Sequence, residues 1–421
     1  MDERPLHDAD AAPTTRLPSL GAELGRMAQC FEEEGALGVV LVDASGLSTI
    51  EQQHGGIALH RALHTLGELV QGLVAEQMSL NDVLVTGEVG RDEIVVFLFR
   101  GQDEVEFFKS DLDRLRRRVS HGLEQRGARA GYPYTRSLPP FHVGIGSALR
   151  NPTTRPEVQI RQALEDAREH IDLVTRLETR RRRKDLFELV IERRIYSVYE
   201  PIVEVSSKTV FGYEALARGP DGTDLHSPMK LFTLAVEQDF VFQLDCLCRQ
   251  SGLHGARDLP GGAKLFLNVR PSTIHDPSFR AEALERTLEA CELQPSDVVF
   301  EVSEQESIEN FDIFREVRDY YGKLGFQIAL DDVGAGYASL EAVMELEPEF
   351  IKVDRAFCAK IDEDPGRQQL LAALQSLAER IGARIIGEGL DTIEELDTLG
   401  RIGIEFGQGW LFGKPHPLRS D

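Results

Sequence analysis

Two adjacent carboxylates, Asp331 and Asp332, end a short apolar run (Phe326, Ile328, Ala329, Leu330) and are followed at once by a glycine-bearing turn, Gly334-Ala335-Gly336. Two such acids cannot both be desolvated as anions without a cation beside them. Taken alone, the pair reads equally well as a helix N-cap and a surface acid. The same grammar recurs through the second half of the chain. Apolar runs end in Asn268 (264–268), in Glu301 with Glu304 three residues on (298–301), and in Lys352 and Asp354 (350–354). Further runs end in Glu388 (384–389) and Gln408 (403–409), and 210–214 opens the series with Glu214. A Glu/Asp/Asn/Gln set without His or Cys offers hard oxygen donors, the preference of Mg²⁺ and Mn²⁺.

The elements that must position these groups follow from the spacing. An apolar run bounded by glycine is read as a strand buried on both faces. Segments of helical period, 311–324, 368–381 and 393–399, lie between the runs. Strand, polar terminus and helix, repeated about six times over roughly 200 residues, is the pattern of an α/β protein with a TIM-like (β/α)8 barrel. In that fold the strand C-termini converge on one mouth, so scattered polar ends become one cluster.

Composition narrows the partners. At 421 residues the chain has room for two or three domains by a prior of about 150 residues each. Its 71 Asp+Glu against 47 Lys+Arg argue against duplex nucleic acid, whose phosphates would be repelled. A small anionic substrate held through metal ions remains compatible. Cys30, Cys246, Cys248, Cys291 and Cys358 lack paired zinc-ligand spacing and are expected to be reduced thiols. No apolar run reaches the ~18 residues of a membrane span. Residues 1–20 are acidic and Pro-rich without an apolar signal core, which predicts a disordered tail and a cytoplasmic protein.

Residues 21–155 predict a compact α+β unit: strands at 38–43, 82–86, 95–99 and 141–148, helices at 20–34, 56–78 and 104–125, and a hairpin at 87–94. With Gly90-Arg91-Asp92-Glu93-Ile94 at the hairpin, it resembles a GGDEF domain, the diguanylate cyclase fold. By that resemblance Asp43 and Asp92 would hold metal ions. The guanine-reading pair is replaced by Glu51 and His60, and Arg91 stands where a glycine lets the triphosphate approach the backbone. The inhibitory Arg-x-x-Asp motif is absent around 81–84. A non-cyclising, degenerate domain is therefore expected, with GTP as a regulatory ligand or a structural, dimerising role both open. Residues 156–195 predict a charged helical linker, including the basic run 180–184, able to couple the two domains.

Residues 196–421 resemble an EAL domain, the family of cyclic di-GMP phosphodiesterases. The resemblance rests on Glu214-Ala215-Leu216 with Arg218, Asn268, Glu301-Val-Ser-Glu304, Asp331-Asp332-Val-Gly-Ala-Gly-Tyr337, Lys352-Val-Asp354, Glu388-Gly389 and Gln408-Gly409, in the family's order. It implies hydrolysis of cyclic di-GMP to linear pGpG by two divalent cations, which acidify water and clamp the attacking and leaving oxygens. Glu214, Asn268, Glu301 and Asp331 would hold one cation, Asp331 would bridge to a second near Asp332, and Glu388 would bind there or act as general base. Lys352 would orient water and offset negative charge, Gln408 would support the water and the substrate, and Arg218 would contact phosphate. Leu216 and Glu200 would also contact substrate, and Glu304 would anchor the glycine turn. Three positions depart from the family: Glu200 for a usual Gln, Asp391 for Glu, and Ala335 for a common Thr. The rival reading is a cyclic di-GMP receptor without turnover, signalling through the linker helix. A homodimer is expected by resemblance, and Trp410 is expected to pack in the core or rim.

Overall fold

The computed structural model describes residues 17–88, 90–135, 140–270, 273, 276–303, 311–334 and 339–418. The chain divides into two compact units, Met1–Arg181 and Arg182–Asp421.

In the first unit, strands β1 (Gly35–Asp43), β2 (Val83–Thr86), β3 (Glu93–Gly101) and β4 (His142–Leu149) form one sheet in the order β2-β3-β1-β4. Every neighbouring pair is antiparallel. Alternation along the strands feeds two cores, because successive side chains leave a strand on opposite faces. Val40, Val42, Ile94, Val96 and Leu98 pack with helices Gly56–Val74 and Leu112–Arg126. Leu37, Val39, Leu41, Val95, Phe97 and Phe99 pack with Leu20–Glu34 and the start of Pro156–Ile191. The last helix comes unusually close to β4: a Cβ on Gly144 or Gly146 would overlap the carbonyl oxygens of Ala167 or Ala163. The hairpin between β2 and β3 pairs Thr86 with Ile94.

Helix Pro156–Ile191 is not a solvated spacer along its length. Ile160, Ala163, Leu164, Ala167 and Ile171 belong to the first core, whereas Leu186 and Leu189 pack with Leu231 and Leu244 of the second unit. Residues 176–185, with the basic run, are exposed throughout. Among the described residues no helix is long and apolar enough to cross a membrane.

The second unit is a closed eight-stranded barrel. Its strands are β5 (Tyr196–Glu204), β6 (Val210–Arg218), β7 (Lys264–Asn268), β8 (Val298–Ser303), β9 (Gln327–Val333), β10 (Phe350–Val353), β11 (Arg384–Gly387) and β12 (Phe406–Gln408). They close in the order β10-β11-β12-β5-β6-β7-β8-β9. Seven strands run parallel, but β5 is antiparallel to both β6 and β12. The link from Glu204 to Val210 is a tight turn with Lys208 in the left-handed region, far too short for the crossover that parallel neighbours require.

One ring of apolar side chains sets the height of the site. Ile202, Phe266, Val299, Ala329, Phe350, Ile386 and Phe406 form a separate buried cluster. Two positions along their strands stand Glu200, Asn268, Glu301, Asp331, Lys352, Glu388 and Gln408. Residues i and i+2 share a face of a strand, so the apolar ring is the floor beneath these polar groups. Gly212 occupies the corresponding place below Glu214. At the far end, Arg384 stacks on Phe406, 4.3 Å from the ring centroid, and on Phe211. That stack closes the barrel opposite the site with apolar and cation–π contact.

Candidate active site

Lys352 is the centre of the polar cluster. Its side chain is 1 % exposed, and its ammonium lies 3.1 Å from Glu214, 2.8 Å from Glu301, 3.2 Å from Asp331 and 2.8 Å from Glu388. An ammonium has three N–H donors, so four carboxylates fully occupy it. The four acids drive its pKa well above the ordinary lysine value despite burial. Each carboxylate gives Lys352 one oxygen, and the other oxygens of Glu214 and Glu301 accept from Asn268. Asn268 spends its amide nitrogen on Glu214 and Glu301, both at 3.1 Å, which leaves its carbonyl oxygen as the donor for a cation. Gln408 gives its amide nitrogen to Glu214 at 2.6 Å and to Glu200 at 3.1 Å.

These contacts divide the acids. Burial disfavours the Glu214 anion, but Lys352, Gln408 and Asn268 outweigh it and hold the group below the ordinary carboxylate range. Glu301 moves the other way, pushed well up by burial and by Glu214 against the pull of Lys352. Burial pushes Glu388 up to about 8, with Lys352 opposing and Asp331 adding to the rise. Asp332 is pushed up to about 6 by burial and then by Asp331. Carboxylates in such a state hold protons that a divalent cation would displace.

How two consecutive acids reach one site is a matter of backbone. In a regular strand Asp331 and Asp332 would leave on opposite faces. Here β9 carries an irregularity against β10: Ile351 pairs with Leu330, but Val353 pairs with Val333. The extra residue falls at 331–332, and Asp332 lies in the left-handed region with φ 59. This bulge turns the second carboxylate back. Asp331, Asp332 and Glu388 consequently present oxygens that all lie within 4.8 Å of one another.

A cavity of about 320 Å³ opens over the cluster, lined by Glu200, Glu214, Asp331, Asp332, Lys352, Glu388 and Gln408, and at its rim by Arg355, Asp391 and Trp410. Trp410 is 59 % exposed with Lys414 over its ring, so it is a rim residue and not a core one. Arg218 ends β6 with its guanidinium on the carbonyl of Ala217, and neither it nor Leu216 lines the cavity. Asp354 caps helix Arg355–Cys358 through the N–H of Ala356. Glu304, Ala335 and Tyr337 lie outside the described residues. The pairing of Arg355 with Asp391 escaped the sequence reading; its one signal is that Arg355 directly follows Lys352-Val-Asp354.

The fold and the site define a (β/α)8-type barrel with a carboxylate-rich mouth. The family model described as the EAL domain matches residues 183–415, more than half of the chain, and the chain belongs to that family. Probable cyclic di-GMP phosphodiesterase PdeG of Escherichia coli strain K12 is 31% identical over 228 residues, covering 52% of this chain and 44% of that protein. Probable cyclic di-GMP phosphodiesterase PdeN of the same strain is 25% identical over 240 residues, covering 56% and 46%. The chain thus spans less than half the length of these curated relatives. The EAL enzyme Bd1971, solved with cAMP and cyclic di-GMP bound, shares the fold with a TM-score of 0.52 at 24% identity, covering 62% of this chain and 73% of that one.

Proposed function

We propose that the barrel hydrolyses one phosphodiester bond of cyclic di-GMP, giving linear pGpG, with two Mg²⁺ or Mn²⁺ ions as cofactors. The observation that carries this reading is the meeting of the Asp331, Asp332 and Glu388 oxygens within 4.8 Å. The donor chemistry fits: Glu214, Asn268, Glu301, Asp331, Asp332, Glu388 and Gln408 offer only oxygens to a cation. Among the described residues Gln408 Oε1 is buried without a hydrogen-bond partner, an acceptor suited to such a shell. When bound, divalent cations acidify water and offset charge gathering on a phosphate.

The chain's own groups account for the rest. Lys352 keeps four carboxylates together that would otherwise repel one another. Glu388, read as either a donor to the cation or the general base, would accept the proton of the attacking water in its ionised form; burial makes it hold a proton in the metal-free chain, which a bound cation would displace. Asn268 and Gln408 fix the carboxylates through their amide nitrogens. Glu200 would contact the substrate from the cavity wall, and the substrate contacts of Arg218 and Leu216 and the anchoring role of Glu304 are those the family resemblance implies.

The first unit we read as a degenerate GGDEF-like domain that tunes the barrel without cyclising GTP. Its hairpin acid Glu93 accepts bidentate hydrogen bonds from Arg168 Nε and Nη2, at 2.9 and 2.6 Å, in a buried ion pair. Asp92 is pushed up by burial, by Glu51 and by Asp43, so these acids crowd one another. Both features support an altered nucleotide site.

The test is incubation of the full chain with cyclic di-GMP and Mg²⁺ or Mn²⁺, following pGpG by chromatography beside a Glu214→Ala control. Product well above the control is expected. Tight binding with no more product than the control would establish the silent receptor instead. Added GTP should change the rate without yielding new cyclic di-GMP.

A further inference from the structure

We infer that Arg355 is a second cation, besides Arg218, that receives a phosphate group of the substrate, and that Asp391 holds its guanidinium in place beforehand. The inference rests on the phosphodiesterase reading of the same cavity. A cyclic dinucleotide brings two phosphodiester charges to a mouth lined by six carboxylates, Glu200, Glu214, Asp331, Asp332, Glu388 and Asp391. Divalent cations serve the bond being broken, and the other phosphate still needs a positive partner. Among the described lining residues there are two cations, Lys352 and Arg355, while Arg218 stands outside that lining with its guanidinium on the Ala217 carbonyl. Lys352 is buried under four carboxylates and has no donor left for a fifth anion.

Arg355 is placed otherwise. It begins the helix Arg355–Cys358 at the rim of the cavity, and its side chain is 57 % exposed. Its one ion pair among the described residues joins Nη2 to Asp391 Oδ2 at 2.7 Å. A guanidinium has five N–H donors in a planar fork, so this pair leaves donors for a phosphate in the bidentate geometry that arginine favours. An ion pair so exposed is weak, and sharing the guanidinium with an incoming anion costs little. The stem is fixed from the other side. Gly389, at φ 69, packs so tightly on Arg355 that a Cβ there would overlap the arginine's Cβ, Cγ and Cδ. Because Gly389 follows Glu388 directly, the turn that carries the proposed base also sets the position of Arg355. Asp391 is held by its backbone N–H on Glu395 at 2.8 Å.

Arg355→Met keeps the stem against Gly389 and removes the charge. With wild-type, Arg355→Met, Arg355→Lys and Asp391→Asn proteins, KM and kcat for cyclic di-GMP, the equilibrium affinity for cyclic di-GMP, and Mn²⁺ affinity by calorimetry are measured. Arg355→Met should raise KM and weaken dinucleotide binding by about ten-fold, the size of one charge-assisted hydrogen bond. Mn²⁺ affinity and kcat should stay within about two-fold, because the reacting centre is untouched. Arg355→Lys should recover part of the loss, and Asp391→Asn, which loosens the hold on the guanidinium, should raise KM by less than Arg355→Met does; an unchanged or lower KM in Asp391→Asn would overturn the positioning role of Asp391. Wild-type turnover with unchanged KM and binding in Arg355→Met would overturn the role of Arg355 and leave the phosphodiesterase reading standing. A wild-type protein that binds without cleaving would overturn that reading, while the loss of binding in Arg355→Met would still test the contact. A wild-type protein that neither binds nor cleaves would overturn both.

Discussion

Glu200 and Glu214 face one another directly across β5 and β6, and both lean on the single amide nitrogen of Gln408. Opposed like charges on neighbouring strands destabilise a sheet. Burial pushes Glu200 up; Gln408 opposes, and Glu214 adds to the rise. Glu200→Gln should therefore stabilise the protein by about 0.5–1 kcal/mol, read as a higher denaturant midpoint above neutral pH, and should lower KM for an anionic substrate. An unchanged midpoint would mean that Gln408 already offsets the repulsion. The raised acids predict a pH dependence of the metal-free protein. Glu388 moves from 4.5 to about 8 and Asp332 from 3.8 to about 6. Both folded values lie above the unfolded ones, so the folded state binds more protons. Their stabilisation is complete below the unfolded values and is lost as pH rises through about 6 for Asp332 and about 8 for Glu388. In chelator the melting temperature should be lower at about pH 8.5 than at about pH 5.5; Mn²⁺ should raise it at about pH 8.5, and Mn²⁺ binding should release protons at about pH 5.5 but few at about pH 8.5. A flat melting curve across that window would contradict these shifts.

Among the elements, the bulge of β9 is the device that converts two neighbouring residues into two ligands. Its left-handed residue is Asp332, at φ 59, a conformation that aspartate tolerates better than most side chains and glycine best of all. Asp332→Gly should keep the bulge and the melting temperature in chelator while Mn²⁺ binding falls sharply in calorimetry. Asp332→Val should lose the cation and in addition about 1–2 kcal/mol of stability, because a β-branched residue resists that region. Equal stability of the two variants would show that the backbone at 332 adapts without strain. The antiparallel β5 acts at the same scale: reversing one strand brings Glu200, two residues above the apolar ring, to the level of Glu214.

At the scale of the molecule, a net charge of -24 sets up a field that repels a dianionic dinucleotide before it reaches the mouth. Added salt screens such repulsion, since the Debye length shortens from about 30 Å at 0.01 M to about 8 Å at 0.15 M. With Mn²⁺ held saturating, kcat/KM for cyclic di-GMP should rise over that range of ionic strength. A fall would mean that positive charge near the mouth, Arg355 included, outweighs the global field. The helix Pro156–Ile191 spans the boundary between the units: Ile160, Ala163, Leu164, Ala167 and Ile171 lie in the core of the first, Leu186 and Leu189 in a core of the second, and every residue of the stretch 176–185 between them is exposed.

The sequence by itself determined the donors. Asn268, Glu301, Asp331, Lys352, Glu388 and Gln408 each follow an apolar strand residue by two positions, a local period readable without any partner. It also determined that those donors are hard oxygens and that the excess charge is acidic. The tertiary structure alone decided what lies across the barrel from what. Lys352 gathers four acids from four other strands and turns, and Arg355 meets Asp391 across 36 residues of chain. The register shift at Asp332 and the reversal of β5 belong with these. Each depends on which strands are neighbours and in what register, and pairing between distant segments leaves no periodic trace in either segment alone.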